Sequence, residues 1–405
     1  LTHHDKERPN IVFVLTDDQG YWALGAAGNA EIETPTLDRL AEEGMHFTNF
    51  FCASPVCSPA RASILTGRIP SQHGVHDWIR AGNTGTDAVQ YLEGQTSYTQ
   101  ILAENGYICG LVGKWHLGDS IVPQHGFSHW FAHKQGGGPY YGAELSRNGG
   151  PFKSYPEYLT DVITDEAIDF LQQQEDGTPF YLGIHYTAPH SPWDKEQHPE
   201  ELRNLYKDCP FLSCPNEPMH PWQINSAPWG TSDRRHEFLS GYYAAVTSVD
   251  RNLQRVLNSL KEQGLDENTM IVFTSDNGMN MGHHGIYGKG NGTFPQNMYD
   301  TSVKVPMIIW QPGEIAGGQR PDSLLSQYDI FPTLLEYLGL SHPCPDLLPG
   351  RSFAPLLQGR PWDPSDAVIV FDEYGPVRMV RTKQWKYVHR YPYGPHELYD
   401  LVSDP

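Results

Sequence analysis

Ile11-Val12-Phe13-Val14-Leu15-Thr16, followed at once by Asp17-Asp18, is the stretch on which the fold turns. A short continuous apolar run of this kind predicts a strand buried on both faces, as in a parallel sheet. Downstream, Thr34-Pro35 followed by Leu37, Leu40 and Ala41 reads as a capped helix with Pro at its first position. Residues 107–112, 180–184, 270–274 and 305–310 return to strand, and 158–174, 238–263 and 330–338 carry helical spacing. This alternation predicts an α/β fold with a large, mostly parallel (mixed) central sheet flanked by helices. From about residue 365 the texture changes to short strands at 367–371, 377–381 and 385–389. The expected division is a main α/β domain over 1–364 and the start of a small C-terminal antiparallel-sheet subdomain over 365–405, unfinished at Asp404-Pro405. Two stretches interrupt the pattern. Residues 134–156 are Gly-rich and aromatic, and 207–232 are rich in Pro, Cys and Trp. Both read as long surface excursions, a length often tied to function.

The chain has 405 residues and a formal net charge of −20, which argues against nucleic acid and anionic membranes as partners. No apolar run approaches the ~18 residues of a membrane span. The sequence starts Leu1-Thr2 without Met, which fits a removed signal peptide. Six cysteines are too few for a disulfide scaffold. Cys209 and Cys214 are close enough in sequence to pair, with six reduced thiols as the alternative. An extracytoplasmic location, periplasmic or secreted, is favoured over a cytoplasmic one.

Chemistry gathers after the strands. Asp17-Asp18 follows the first one, and Asp276-Asn277 follows residues 270–275 in the same way. Ligands of open α/β sheets bind beyond the carboxyl ends of the strands. The two pairs are therefore expected to converge and offer hard oxygen ligands to Ca²⁺ or Mg²⁺. Each pair alone also fits a turn or a helix cap.

Pro55-Val56-Cys57-Ser58-Pro59-Ala60-Arg61, continuing to Leu65-Thr66-Gly67-Arg68, resembles the signature of type I sulfatases, members of the alkaline phosphatase-like superfamily. There, Cys-x-Pro-x-Arg directs oxidation of the cysteine to formylglycine. Residues 106–118, with Gly113-Lys114-Trp115-His116-Leu117-Gly118, resemble the family's second signature. Ala188-Pro189-His190-Ser191-Pro192 and Gly288-Lys289-Gly290 match further landmarks in the family's order. Ala60 and Cys109 depart from the usual residues without touching the core motif.

The resemblance implies a sulfuric ester hydrolase that releases sulfate from a sulfate monoester, a sulfated carbohydrate being favoured, through a formylglycine-sulfate intermediate at a metal site. It implies one divalent cation, Ca²⁺ favoured over Mg²⁺, held by Asp17, Asp18, Asp276, Asn277 and residue 57. Formylglycine would derive from Cys57 by a separate maturation enzyme. Arg61 would hold the hydrated aldehyde, and Lys114 and Lys289 would grip the sulfate oxygens. His116 would be the base that releases sulfate, and His190 the acid for the leaving alcohol. Taken singly, each of these residues also fits an inert core or surface role.

Pocket candidates are His76, Asp77, Trp78, Trp193 and His284, with His73, Lys195 and His283 beside them, because sugars are held by aromatic faces and charged groups. Ordinary loop packing is the alternative. Asn291-Gly292-Thr293 fits a glycosylation sequon but abuts Lys289 and reads as coincidence. Competing readings are a phosphonate or phosphate monoesterase of the same superfamily and a non-catalytic sulfoglycan-binding protein.

Overall fold

In the computed structural model residues 8–82, 88–175 and 177–404 are described; Leu1, Thr2 and Pro405 lie outside them. The opening apolar run is the strand Asn10–Thr16, buried throughout. Ile11, Phe13 and Leu15 point into one hydrophobic cluster, and Val12 and Val14 into another. The run is continuous because both faces of the strand are covered.

Among the described residues, nine strands form the central sheet. Asn10–Thr16 lies between parallel partners, Thr269–Ser275 and Phe180–His185. Ile108–Lys114 and Phe127–His133 extend the parallel set. Both edges turn antiparallel: Met307–Trp310 and Met45–His46 at one, Ala143–Arg147 and Lys153–Tyr155 at the other. The sheet is mixed, with a parallel centre. The last two strands correct one expectation, since 134–156 is not only a surface excursion but also completes the sheet edge.

Helices Pro35–Glu43, Leu159–Gln172 and Arg235–Glu262 bury their apolar sides with Val12 and Val14. Cys57–Thr66, Tyr98–Glu104 and Ile330–Tyr337 cover the opposite face. No helix among the described residues is long and apolar enough to cross a membrane. The suggested Cys209–Cys214 bridge is absent and all six cysteines are free. The two thiols turn to separate partners, Cys209 to Glu31 and Cys214 to the Tyr243 hydroxyl.

Val368–Asp372, Val377–Arg381, Trp385–Arg390 and Glu397–Asp400 form a four-stranded antiparallel sheet in that order. Val368, Val370, Val377, Met379 and Val388 join the main core, so this sheet packs directly on the larger one. A charged lock reinforces the seam. The buried Lys386 and Arg381 both pair with Asp300, Arg381 at 3.2 Å. Burial would raise the Asp300 carboxyl, but Lys386 and then Arg381 outweigh it and hold it well below the usual range. A depressed carboxylate contributes stability in full above its unfolded pKa of about 4 and loses it as pH falls further. Asp300→Asn is expected to cost about 3 kcal/mol at neutral pH, because two buried cations lose their counter-charge. Urea titrations at pH 7 and at acid pH should show the gap to the parent protein closing on the acid side.

Candidate active site

Parallel register places Thr16 beside Ser275, so Asp17-Asp18 and Asp276-Asn277 leave the sheet side by side. Lys114 ends the strand Ile108–Lys114 at the same carboxyl edge, and His190 follows Phe180–His185. Cys57 is the first residue of its helix, placing it at the positive end of the helix dipole. Arg61 is one turn further on the same face, which explains the four-residue spacing.

The functional ends of these side chains meet in a small volume. Ligand atoms of Asp17, Asp18, Cys57 and Asp276 all lie within 4.8 Å of one another, and all four residues are buried. Cys57 Sγ sits 3.2 Å from Asp17 Oδ1 and 3.9 Å from Asp18 Oδ1. Each carboxylate has its own cation: Lys114 on Asp17, Lys289 on Asp18, and Arg61 Nε on Asp276 at 3.0 Å. Lys289 Nζ also donates to Cys57 Sγ at 2.7 Å. Arg61 donates a second bond to the Lys114 carbonyl, which ties the helix to the sheet edge. Asp18 adopts a left-handed backbone, φ 64°, held by the Tyr242 hydroxyl, which donates to its carbonyl at 2.8 Å. A strained conformation kept this firmly belongs with function.

Electrostatics follow from burial and crowding. Burial and the charge of Asp17 push the Asp276 carboxyl up to about 7, against the pull of Arg61. Burial opposes ionisation of Asp17 too, but Lys114 and the other cations win and hold it well below the usual range. Burial, with Asp17 adding to it, lifts the Cys57 thiol far above its ordinary value, so it stays protonated and unreactive.

The donor set fits a divalent cation. Three buried carboxylates converge, and Asn277 Oδ1, buried beside them, has no hydrogen-bond partner among the described residues while its Nδ2 donates to Asp18. Hard oxygens in this number suit Ca²⁺ or Mg²⁺.

His116 also has a left-handed backbone, φ 56°. Its Nε2 lies 2.8 Å from the Ile79 carbonyl, so Nε2 carries the proton and Nδ1 is the free lone pair. Nδ1 is buried without a partner among the described residues. Burial, then Lys114, holds the ring well below its usual pKa, hence neutral. His190 Nδ1 faces the Ser191 carbonyl at 2.7 Å, and its Nε2 lies 3.8 Å from Asp18 Oδ2.

Residues 9–340 match the Sulfatase family, and residues 282–405 match the C-terminal family of N-sulphoglucosamine sulphohydrolase. The chain belongs to the sulfatase family. It is therefore a sulfuric ester hydrolase. It is 28% identical to an N-acetylglucosamine-6-O-sulfatase of Bacteroides thetaiotaomicron, over 99% of this chain and 82% of that protein. It is 32% identical to an N-acetylgalactosamine-6-sulfatase of Homo sapiens, over 88% of this chain and 67% of the human one. A solved structure in complex with its substrate D-glucosamine-2-N,6-O-disulfate has a TM-score of 0.82 at 26% identity, covering 98% of this chain and 92% of that one. The phosphonate monoester hydrolase of Agrobacterium radiobacter shares the fold, with a TM-score of 0.75 at 24% identity, covering 98% and 90%.

In this sulfatase the cluster opens into a cavity of about 500 Å³. Asp18, Cys57, His116, His190 and Lys289 line it, whereas Asp17, Arg61, Lys114, Asp276 and Asn277 stand behind them. Of the pocket candidates, Asp77 and Trp78 reach the cavity. Three do not. Trp193 is fully buried in the core under the helix Arg235–Glu262, its indole N–H donated to the Pro189 carbonyl. His284 stacks flat on Tyr299 at 4.0 Å and does not line the cavity. His76 is exposed outside the cavity, one residue away from the Asp77 that enters it. The sequence reading missed Arg80, Gln135, Gly136, Gly137, Asn225 and Tyr374, which complete the wall from four separate segments. Only the glycine run offered a local signal.

Proposed function

We propose that this sulfatase releases inorganic sulfate from a sulfated carbohydrate, using formylglycine made from Cys57 by a maturation enzyme and a divalent cation, with Ca²⁺ favoured. The observation that carries this reading is Cys57 standing among three buried carboxylates at the floor of a cavity that also presents Lys289, His116 and His190. Formylglycine at position 57 would supply a geminal pair of hydroxyls, a nucleophile for sulfur and a spare hydroxyl whose proton loss would let sulfate depart. Asp17, Asp18, Asp276, Asn277 and residue 57 would hold the cation, which would supply charge for the sulfate oxygens and lower the hydroxyl pKa.

The chain's own groups do the rest. Lys289, at the cavity surface, holds a sulfate oxygen, and Lys114 adds positive charge from behind while keeping Asp17 ionised. Arg61 fixes Asp276 and the helix that carries residue 57. His116 takes a proton at Nδ1, the nitrogen left without a partner among the described residues. His190 gives one from Nε2 to the departing alcohol. Trp78 and Tyr374 offer aromatic faces at the mouth, and Asp77 can accept from sugar hydroxyls. The names of similar proteins, acting on 6-sulfated amino sugars, support the same class.

A panel of position-defined sulfated mono- and disaccharides, assayed for free sulfate, tests the substrate. Turnover of at least one sugar sulfate is expected. Comparison of aryl sulfate with aryl phosphate and phosphonate monoesters tests the reaction, and a preference for phosphorus would overturn this reading.

A further inference from the structure

Gly136-Gly137-Gly138 lies in the connection between Phe127–His133 and Ala143–Arg147. None of the three has a positive φ, so the backbone there does not require glycine. Space does. A Cβ on Gly136 would overlap the His116 imidazole at Cε1, Nε2 and Nδ1. A Cβ on Gly137 would lie 2.7 Å from His190 Cε1 and 3.0 Å from its Nδ1. A Cβ on Gly138 would meet only His133, at an ordinary 3.5 Å. Two successive glycines therefore press bare backbone against the two histidines of the cavity.

The strap is braced at both ends. Lys134 N donates to the Glu144 carbonyl at 3.0 Å, and His133 Nδ1 lies 2.8 Å from the Gln135 carbonyl. At the far end the buried Tyr140 donates its hydroxyl to the carbonyl of His190 itself, at 2.7 Å, and its N–H to Gln197. The strap is thus tied to the segment whose ring it covers.

We propose that Gly136 and Gly137 are positioning residues, which seat His116 and His190 so that each presents its working nitrogen to the substrate. This rests on the roles given to those histidines above. His116 cannot yield easily, since its ring is buried and bonded to Ile79. His190 is a quarter exposed and would swing aside instead. A misplacement of about 1 Å in a catalytic group costs about 10²-fold in rate.

The test uses the converted, metal-loaded enzyme with two substrates: the sugar sulfate it turns over fastest, and 4-nitrophenyl sulfate, whose leaving phenolate needs little protonation. Gly137→Ala is expected to lower kcat about 10²-fold on the sugar sulfate and far less on the aryl sulfate, the same selectivity as His190→Ala. A ratio of two substrates within one sample is insensitive to any unfolded fraction. Gly136→Ala should lower both rates equally, and should add no further loss in a His116→Ala background, where the methyl has room. Gly138→Ala should match the parent. Equal losses on both substrates in Gly137→Ala, or an unchanged Gly136→Ala effect in the His116→Ala background, would overturn the proposal. An unselective His190→Ala would instead overturn the role assigned to His190.

Discussion

Cys57→Ala is expected to cut sulfate release by at least about 10⁴-fold, the scale of losing a nucleophile that acts as one unit with its neighbours. At 1.36 kcal/mol per decade this is about 5 kcal/mol of transition-state stabilisation. The fold should survive. The side chain is small, Ala60 and Ala62 already occupy the same helix, and the change leaves the three ion pairs of the cluster intact. Cys57→Ser sharpens the test. It restores one hydroxyl where the chemistry asks for two, so it should release at most one alcohol per protein and not turn over. Cys52→Ala is the control. Cys52 is equally buried but lies in the hydrophobic core and not on the cavity, so it should lose a little stability and no activity. Full activity in Cys57→Ala would end the reading of residue 57 as the reacting group. Mass spectrometry of the peptide around residue 57 measures how much of a preparation has been converted.

The sheet and the floor of the site were legible because they depend on local pattern and on one topological rule. Continuous apolar runs announced strands covered on both faces, and Asn10–Thr16 and Thr269–Ser275 are such strands. Ligands gather beyond the carboxyl ends of parallel strands, and Asp17-Asp18 and Asp276-Asn277 do converge there. The cavity wall was not legible. Its residues come from segments near 80, 135, 225 and 374, whose meeting depends on loop paths that no periodicity encodes. Trp193 shows the hazard. An aromatic residue three positions after His190 looks like a sugar platform, yet the chain turns it inward against Phe238 and Tyr242. The glycine run pointed the other way. It read as a surface excursion, whereas the structure brings it against the histidines, because what mattered was the volume a side chain would have filled.

Removal of the divalent cation is expected to abolish activity and to lower the melting temperature by several degrees without unfolding the protein at 25 °C. The reason lies in the charge count of the cluster. Once the pH is above the value of about 7 to which burial lifts Asp276, Asp17, Asp18 and Asp276 contribute three negative charges, and Lys114, Lys289 and Arg61 contribute three positive ones, paired one to one. These pairs let the stripped site remain folded. They also make it neutral, and a neutral pocket in a chain of net charge −20 has little attraction for an anionic ester. A dication tips the same cluster to a net +2, so its loss should raise KM as well as lower kcat. At a free concentration 100 times Kd the cation contributes about 2.7 kcal/mol to stability, which sets the scale of the melting shift. Thermal melts and sulfate release, followed after chelation and then after adding back Ca²⁺ or Mg²⁺ separately, measure both effects. Recovery with Ca²⁺ at lower concentration than with Mg²⁺ is the expected order, because six or more oxygens at flexible distances suit the larger ion. Undiminished turnover in protein shown by elemental analysis to hold no metal would overturn the account of the cluster as a metal site.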